Sequence, residues 1–275
     1  LNNASSKISY TVKPKRIISL VPSQTELLFH LGLGDEIIGL TKFCVHPKDC
    51  QKGRTIVGGT KNIDIELIKS LNPDLIIANK EENEKTAIQE LSVDFPVFVS
   101  DVTDMNSALS MIRSVGQLTQ KYLEAELLIK QIQNEFNTQF PAPSSDNENK
   151  SAELFLSSQH IPLRTCYLIW NKPLMTVGSD TFIHSLMKIA GFENIFSDKT
   201  RYPTVSMTDL IFLKCELLLL SSEPYPFKQK HVDEFEKHLP NTRIILVDGE
   251  MFSWYGSRLL KTAEYFKNLT SSIYT

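Results

Sequence analysis

Several kinds of protein are excluded by what this sequence lacks. Four cysteines in 275 residues cannot make a disulfide scaffold, and neither a paired Cys-x-x-Cys nor a His-Glu-x-x-His offers a zinc site. A basic excess is missing too. Lys plus Arg is 29 and Asp plus Glu is 32, a net charge of -3, which argues against a generic binder of nucleic acid or anionic membrane. No apolar run approaches the roughly 20 residues that a bilayer requires; Leu217 to Leu220, for instance, is bounded by Glu216 and Ser221. The first residues, Leu-Asn-Asn-Ala-Ser-Ser-Lys, show no charged segment followed by an apolar one, so a secretory signal was never there or has been removed. Gly-x-x-x-x-Gly-Lys-Ser/Thr and Gly-x-Ser-x-Gly are absent. Gly32-x-Gly34 follows a helical pattern and lacks the third glycine of a dinucleotide fingerprint. With no nucleophile–base motif, the chain reads as a binding protein and not an enzyme.

What is present alternates. Arg16–Val21, between Pro14 and Pro22, reads as a buried strand. Ser23 and Glu26 have capping-box spacing ahead of a helix through Leu31, stopped by Gly32 and Gly34. A strand over Glu36–Leu40 and a loop over Thr41–Thr60 follow. Then come a helix near Asp64–Leu71, a strand at Asp74–Ala78, a helix at Glu84–Leu91 and a strand at Val97–Ser100. Strands alternating with helices imply an α/β fold with mostly parallel sheet. Asp104–Phe140 is helical throughout, with a joint at Gly116–Thr119. Leu123, Leu127, Leu128 and Ile132 are expected to form the apolar stripe of its second part, Gln120–Gln139. The polar stretch 141–162 reads as an irregular linker, and α/β alternation restarts at Arg164. The restart resembles a repeat: Ser23-Gln-Thr25 with Ser179-Asp-Thr181, Leu31–Ile38 with Ile189–Phe196, Asp74–Ala78 with Glu216–Leu220, and Val97–Asp101 with Ile245–Gly249. This divides the chain into a first lobe (1–119), a linker helix (120–140), an irregular linker (141–162) and a second lobe (163–275).

Open parallel sheets bind ligands beyond the carboxyl ends of their strands, so the segments after strands hold the candidate residues. Trp170, Tyr202, Tyr225, Phe227, Phe252, Trp254 and Tyr255 lie in such segments among Gly and Pro, and suit a large planar ligand. Arg201 and Arg258 could pair with its acidic groups. Cys44, His46 and Cys50 are a compact set of soft donors, readable either as a transition-metal site or as two packing thiols beside a cleft-facing histidine. The other histidines are dispersed, with His231 and His238 expected to be solvated.

Lys15-Arg-Ile-Ile-Ser-Leu-Val-Pro-Ser-Gln-Thr-Glu-Leu-Leu-Phe-His-Leu-Gly-Leu-Gly-Asp35 and the segment Asn62 to Ala78, with its Pro73-Asp-Leu-Ile76, resemble a known family. These are the ABC-transporter substrate-binding proteins with a helical backbone, the receptors for cobalamin, haem and ferric siderophores, and the cobalamin-binding subgroup is the nearest in pattern. The resemblance implies two Rossmann-like α/β lobes with mostly parallel sheets, joined by one long backbone helix, with the ligand cleft between them. It also implies ligand contacts in the Glu250–Arg258 segment, hence Glu250, Met251, Phe252, Trp254, Tyr255 and Arg258. An acid on each lobe should engage a membrane permease, for which Glu82, Glu84 and Asp209 are the matching positions. Three positions depart from the subgroup. Asn79 stands where a ligand-stacking tryptophan is expected, His46 where a tyrosine is, and Met251 where a tryptophan is. His46 and Met251 could serve as axial ligands of a bound chelate.

The reading is therefore a monomeric periplasmic or cell-envelope receptor with no catalytic cofactor. It carries a small-molecule metal chelate, first a cobalamin-like corrinoid and next haem or a ferric siderophore, to an ABC permease, and it does not bind nucleic acid. His46, Trp170, Tyr202 and the 250–258 residues form its site, with no metal held directly by the protein. The alternatives are a two-domain α/β enzyme using the same cleft and a cytosolic corrinoid or metal chaperone.

Overall fold

The computed structural model describes residues 12–140 and 161–274, so the linker expected over 141–162 lies almost wholly outside the described residues. The chain divides into two compact units. The first runs to Val102 and adds Asn106–Ile132 and Trp254–Leu259. The second holds Thr103–Met105, Gln133–Ser253 and the residues from Leu260 onward.

The first unit contains a five-stranded sheet of β1 (Ile17–Ser19), β2 (Ile37–Leu40), β3 (Thr55–Ile56), β4 (Leu75–Asn79) and β5 (Val97–Ser100), in the order β3-β2-β1-β4-β5. Every pairing is parallel. Parallel strands are covered on both faces, and the sequence complies: Ile17, Ile18, Leu75, Ile76 and Ile77 are all fully buried. Burial of each such side chain stabilises by about 1.5–3 kcal/mol. The helices are α1 (Pro22–His30), α2 (Ile65–Ser70), α3 (Lys85–Asp94) and α4 (Met105–Leu118), with α5 (Tyr122–Gln139) running from residues of this unit into residues of the other.

The second unit repeats the plan with β6 (Arg164–Leu168), β7 (Glu193–Asn194), β8 (Leu217–Ser221) and β9 (Arg243–Val247), all parallel, in the order β7-β6-β8-β9. Its helices are α6 (Phe182–Ile189), α7 (Met207–Phe212), α8 (Gln229–Glu236), α9 (Glu250–Ser253) and α10 (Leu259–Tyr274). The strand order of β2-β1-β4-β5 is the strand order of β7-β6-β8-β9, as a duplication requires. The matched segments Asp74–Ala78 and Glu216–Leu220 fall on β4 and β8.

Helix boundaries show where local chemistry decided. The Ser23–Glu26 capping box does not form. Pro22, whose fixed φ suits the first helical position, starts α1 earlier, and Val21 at the N-cap provides no side-chain bond. Ser23 is buried within the first turn, and Glu26 finds another partner. The repeat fails at the same point, because Thr181 caps α6 by accepting the His184 N–H whereas Thr25 lies inside α1 and donates to Ser19. At the other end of α1, Gly32 at φ +71° closes the helix, with Gly32 N–H on the Phe29 carbonyl and Leu33 N–H on that of Leu28.

The long helical stretch breaks at 119–121, where Gln120 adopts φ +57°. Beyond the break, α5 is continuous for 18 residues, about 27 Å at 1.5 Å per residue. Its buried stripe differs from the expected one. Leu123 and Leu127 are 77% and 58% exposed, while Ala125, Leu128, Ile129, Ile132 and Phe136 are buried. Ala125 sets this rotation. A methyl at Gly116 of α4 would lie 2.4 Å from its Cβ, so the two helices approach closely at a pair of small residues. The strand β3, within the stretch read as loop, is two residues long and too short to show a period.

Candidate functional site

In the first unit the loop leaving the carboxyl end of β2 is held from below. Cys44 is fully buried, with its Sγ 3.1 Å from Thr25 Oγ1 and 3.3 Å from Thr41 Oγ1. Gln51 Nε2 donates to the carbonyls of Lys42 (3.1 Å) and Cys44 (3.0 Å), and Cys50 Sγ donates to the Cys44 carbonyl at 3.0 Å. Both thiols are free and packed, and burial pushes both pKa values up, which disfavours the thiolate a metal would need. Among the described residues no group of three or more His, Cys, Asp and Glu side chains could hold a metal ion. The anchored Cys44 turns its neighbours outward, so Phe43 and Val45 are each 51% exposed.

His46 follows in this loop and meets Trp254 edge-on, with ring centroids 5.4 Å apart at 76°. The Arg258 guanidinium lies over the Trp254 ring at 4.8 Å. The same guanidinium grips Glu26 of α1 with a fork of two hydrogen bonds, Nε to Oε2 at 3.0 Å and Nη2 to Oε1 at 2.9 Å. Both side chains are largely buried, at 6% and 15% exposure. Thus three expected ligand residues, His46, Trp254 and Arg258, come together in the first unit, joined by Glu26, which spacing had assigned to a cap. Tyr255 is buried beside them in sequence.

Asn79, at the end of β4, cannot present a face to any ligand. It is buried, its Oδ1 accepts the N–H groups of Glu81 and Glu82, and its Nδ2 donates to Ser100 O and Oγ. It holds the turn into α3. That turn leaves Glu82 half-buried, and burial pushes its carboxyl pKa up against the pull of Lys61. Glu82 is therefore poorly exposed for docking, whereas Glu84 is exposed as the N-cap residue of α3.

In the second unit Trp170 follows β6 and is 40% exposed, its ring edge-on to Tyr225 at 5.6 Å. Tyr225 is steadied by Asn171 Nδ2 (3.3 Å) and His231 Nε2 (3.2 Å). His231 is buried, contrary to expectation, because its Nδ1 accepts the Lys228 N–H (2.8 Å) to start α8. That bond assigns the proton of the neutral ring to Nε2. Phe227 is buried against Phe235 and His231. Phe252, expected at the ligand, is core as well: it is fully buried and lies 4.9 Å from the Tyr167 ring and 4.7 Å from Phe266. Tyr202, Glu250 and Met251 are half-buried, and Asp209 is exposed in the first turn of α7. Asp209 and Ser206 form a reciprocal capping box, and Ser206's hydrogen bonds hold the Asp209 carboxyl below the usual range. A cavity of about 460 Å³, lined by Leu210, Lys214 and His238 among others, opens at the amino ends of β8 and β9, the opposite end of the sheet from these aromatics. We assign it no part in the site.

Phe43, Val45 and Glu26 escaped the sequence reading. Phe43 and Val45 sit in a loop whose outward face depends on which residue anchors it. Glu26 acts through a partner 232 residues away.

A family profile described as "Periplasmic binding protein" matches residues 17–240. An uncharacterized ABC transporter substrate-binding lipoprotein of Bacillus subtilis, YvrC, is 26% identical over 95% of this chain and 81% of its own length. The vitamin B12-binding protein of Pectobacterium atrosepticum is 25% identical over 91% of this chain and 86% of its own. Among solved structures, a periplasmic heme-binding protein from Pseudomonas aeruginosa superposes with a TM-score of 0.77 at 17% identity, covering 94% of this chain and 92% of that one.

Proposed function

We propose a function from one premise: the chain belongs to the periplasmic binding protein family. It is the substrate-binding protein of an ABC importer, and it captures a metal chelate for delivery to the membrane permease. A cobalamin-like corrinoid is the first candidate, with haem or a ferric siderophore next. The observation that carries the reading is that both parallel sheets end in segments bearing aromatic side chains, Phe43 and His46 after β2 and Trp170 after β6, within the span the family profile matches. Flat aromatic faces suit a conjugated macrocycle.

His46, Trp254, Tyr255 and Arg258 are the ligand candidates of the first unit, and Trp170, Tyr202, Glu250 and Met251 are those of the second. Phe252 belongs to the core of the second unit, against Tyr167 and Phe266. Glu84 and Asp209 would meet the permease, ahead of the half-buried Glu82. No helix among the described residues is long and apolar enough to cross a membrane. The protein works as a monomer in the cell envelope and returns its ligand chemically unchanged.

A thermal-shift screen with cyanocobalamin, cobinamide, hemin and a ferric hydroxamate tests this. A true ligand at 100 times its Kd stabilises by about 2.7 kcal/mol, a clear rise in Tm. No shift with any of the four would overturn the reading.

A further inference from the structure

We propose that the cavity at the amino ends of β8 and β9 is a second small-molecule site, for a compound that carries a flat aromatic ring and a carboxylate. It lies wholly in the second unit, at the opposite end of the sheet from the segments assigned to the chelate, and stands independently of that assignment.

The first unit shows what this place normally holds, because the two units match residue by residue here. Asn72 at φ +44° follows α2, and Lys214 at φ +51° follows α7. Two residues on, Asp74 accepts the Arg16 N–H and Glu216 accepts the Arg164 N–H. The same two arginines donate through their guanidinium groups to the carbonyls of Leu71 and Leu213. In this register Ile68 corresponds to Leu210 and Ile76 to Leu218. Ile76 pairs with Val97 and Leu218 with Ile244, so Phe95 corresponds to Thr242.

Phe95 packs against the core cluster of the first unit, which includes Ile68. Only Phe95 and Pro96 separate α3 from β5, whereas Lys237–Thr242 separate α8 from β9. A small residue and a longer connection therefore replace the ring, and both Thr242 and Leu210 line a cavity of about 460 Å³. That volume lies within the roughly 300–1,000 Å³ of ligand pockets. Thr242 is also tied down, its Oγ1 donating to the Cys215 carbonyl at 2.7 Å. Leu210, Cys215 and Leu239 give the cavity an apolar floor. Where the first unit keeps a ring of its own, the second leaves room for one from outside.

The rim sets the charge of the guest. Lys214 and His238 line it, both exposed, and neither joins an ion pair among the described residues. Glu216, the acid among the lining residues, already accepts the Arg164 N–H at 2.8 Å. The Leu213 carbonyl, at the negative end of α7, is occupied by the Arg164 guanidinium. The Lys214 ammonium is thus left to a carboxylate on the bound ring, with His238 as a further donor.

Titration of the isotope-labelled full chain with naphthoate, followed by the shifts of its backbone amides, tests the site. Saturable shifts centred on Leu210–Glu216 and His238–Thr242 are expected. Naphthamide, the same ring without the charge, should bind severalfold more weakly. Thr242→Phe restores the ring of the first unit and should weaken naphthoate by about tenfold or more. Lys214→Gln alters only an exposed side chain, so it tests the rim even if Thr242→Phe folds poorly. It should weaken naphthoate severalfold and naphthamide by less than about twofold. No saturable shift in these two segments, or shifts confined to residues at the carboxyl ends of the strands, would overturn the site. Undiminished binding by a folded Thr242→Phe would overturn its placement in the cavity. Naphthamide binding as tightly as naphthoate, or equal loss of both in Lys214→Gln, would overturn the carboxylate.

Discussion

Breaking the Glu26–Arg258 fork from one side should unfold the first unit far more easily than removing it from both. The pair is bidentate at 2.9 and 3.0 Å, its side chains are 6% and 15% exposed, and Arg258 lies over Trp254. In Glu26→Leu the guanidinium loses its carboxylate in a place where water cannot replace it. In Arg258→Met the carboxylate is the group left behind. Removing one partner of a buried ion pair costs about 3–5 kcal/mol, whereas replacing both by apolar groups of similar volume is often neutral or stabilising. Each single variant should therefore lose about 3–5 kcal/mol. The double variant should fall within about 1 kcal/mol of the unaltered protein, a coupling of several kcal/mol. At about 2–4 °C per kcal/mol for a chain of this size, the singles should melt roughly 6–20 °C lower. Urea unfolding followed by tryptophan fluorescence reads the effect at the site, since Trp254 is one of only two tryptophans. Single variants that lose less than about 1 kcal/mol would place the pair among solvated surface bridges and refute the reasoning.

Glu82→Gln should stabilise at neutral pH. Burial raises the folded pKa above its ordinary 4.5, so the folded state binds this proton more tightly; the contribution of this one group is most favourable below the unfolded pKa and is lost as pH rises through the folded pKa. Chemical denaturation from about pH 4 to 7 should show the gain of Glu82→Gln shrinking to nothing at the acid end. All four cysteines are free and buried with raised pKa values, so a disulfide reagent should find no fast thiol in the native protein and four after unfolding. Glu84→Lys combined with Asp209→Asn, chosen because Asn keeps an acceptor for the α7 cap, should abolish chelate uptake through the cognate importer. Ligand affinity and Tm should change little, and unimpaired uptake would refute the docking assignment.

The strands were legible because buried parallel strands are uniform apolar runs. Val97–Ser100 and Leu75–Asn79 lie where the pattern put them, within a residue. The α5 stripe was misread because apolar residues at helical spacing occur on two faces, and the close approach of Gly116 to Ala125 belongs to the face that is buried. The capping box at Ser23 failed because Pro22 and a distant arginine competed for the same local signals. Aromatic residues after strands could not be sorted from sequence, and Phe43 was passed over altogether. Phe252, Trp254 and Phe43 have similar local signatures, yet one is core, one is covered by a guanidinium and one is exposed. That sorting depends on tertiary neighbours such as Cys44's two threonine partners, which no spacing rule encodes.

The most direct test is an isothermal titration of the purified chain with whichever chelate raises its Tm most, followed by mass analysis of the recovered ligand. Saturation at one chelate per chain, with the chelate recovered unaltered, is the expected result. Absence of saturable binding, or recovery of a chemically altered chelate, would contradict the account of a carrier.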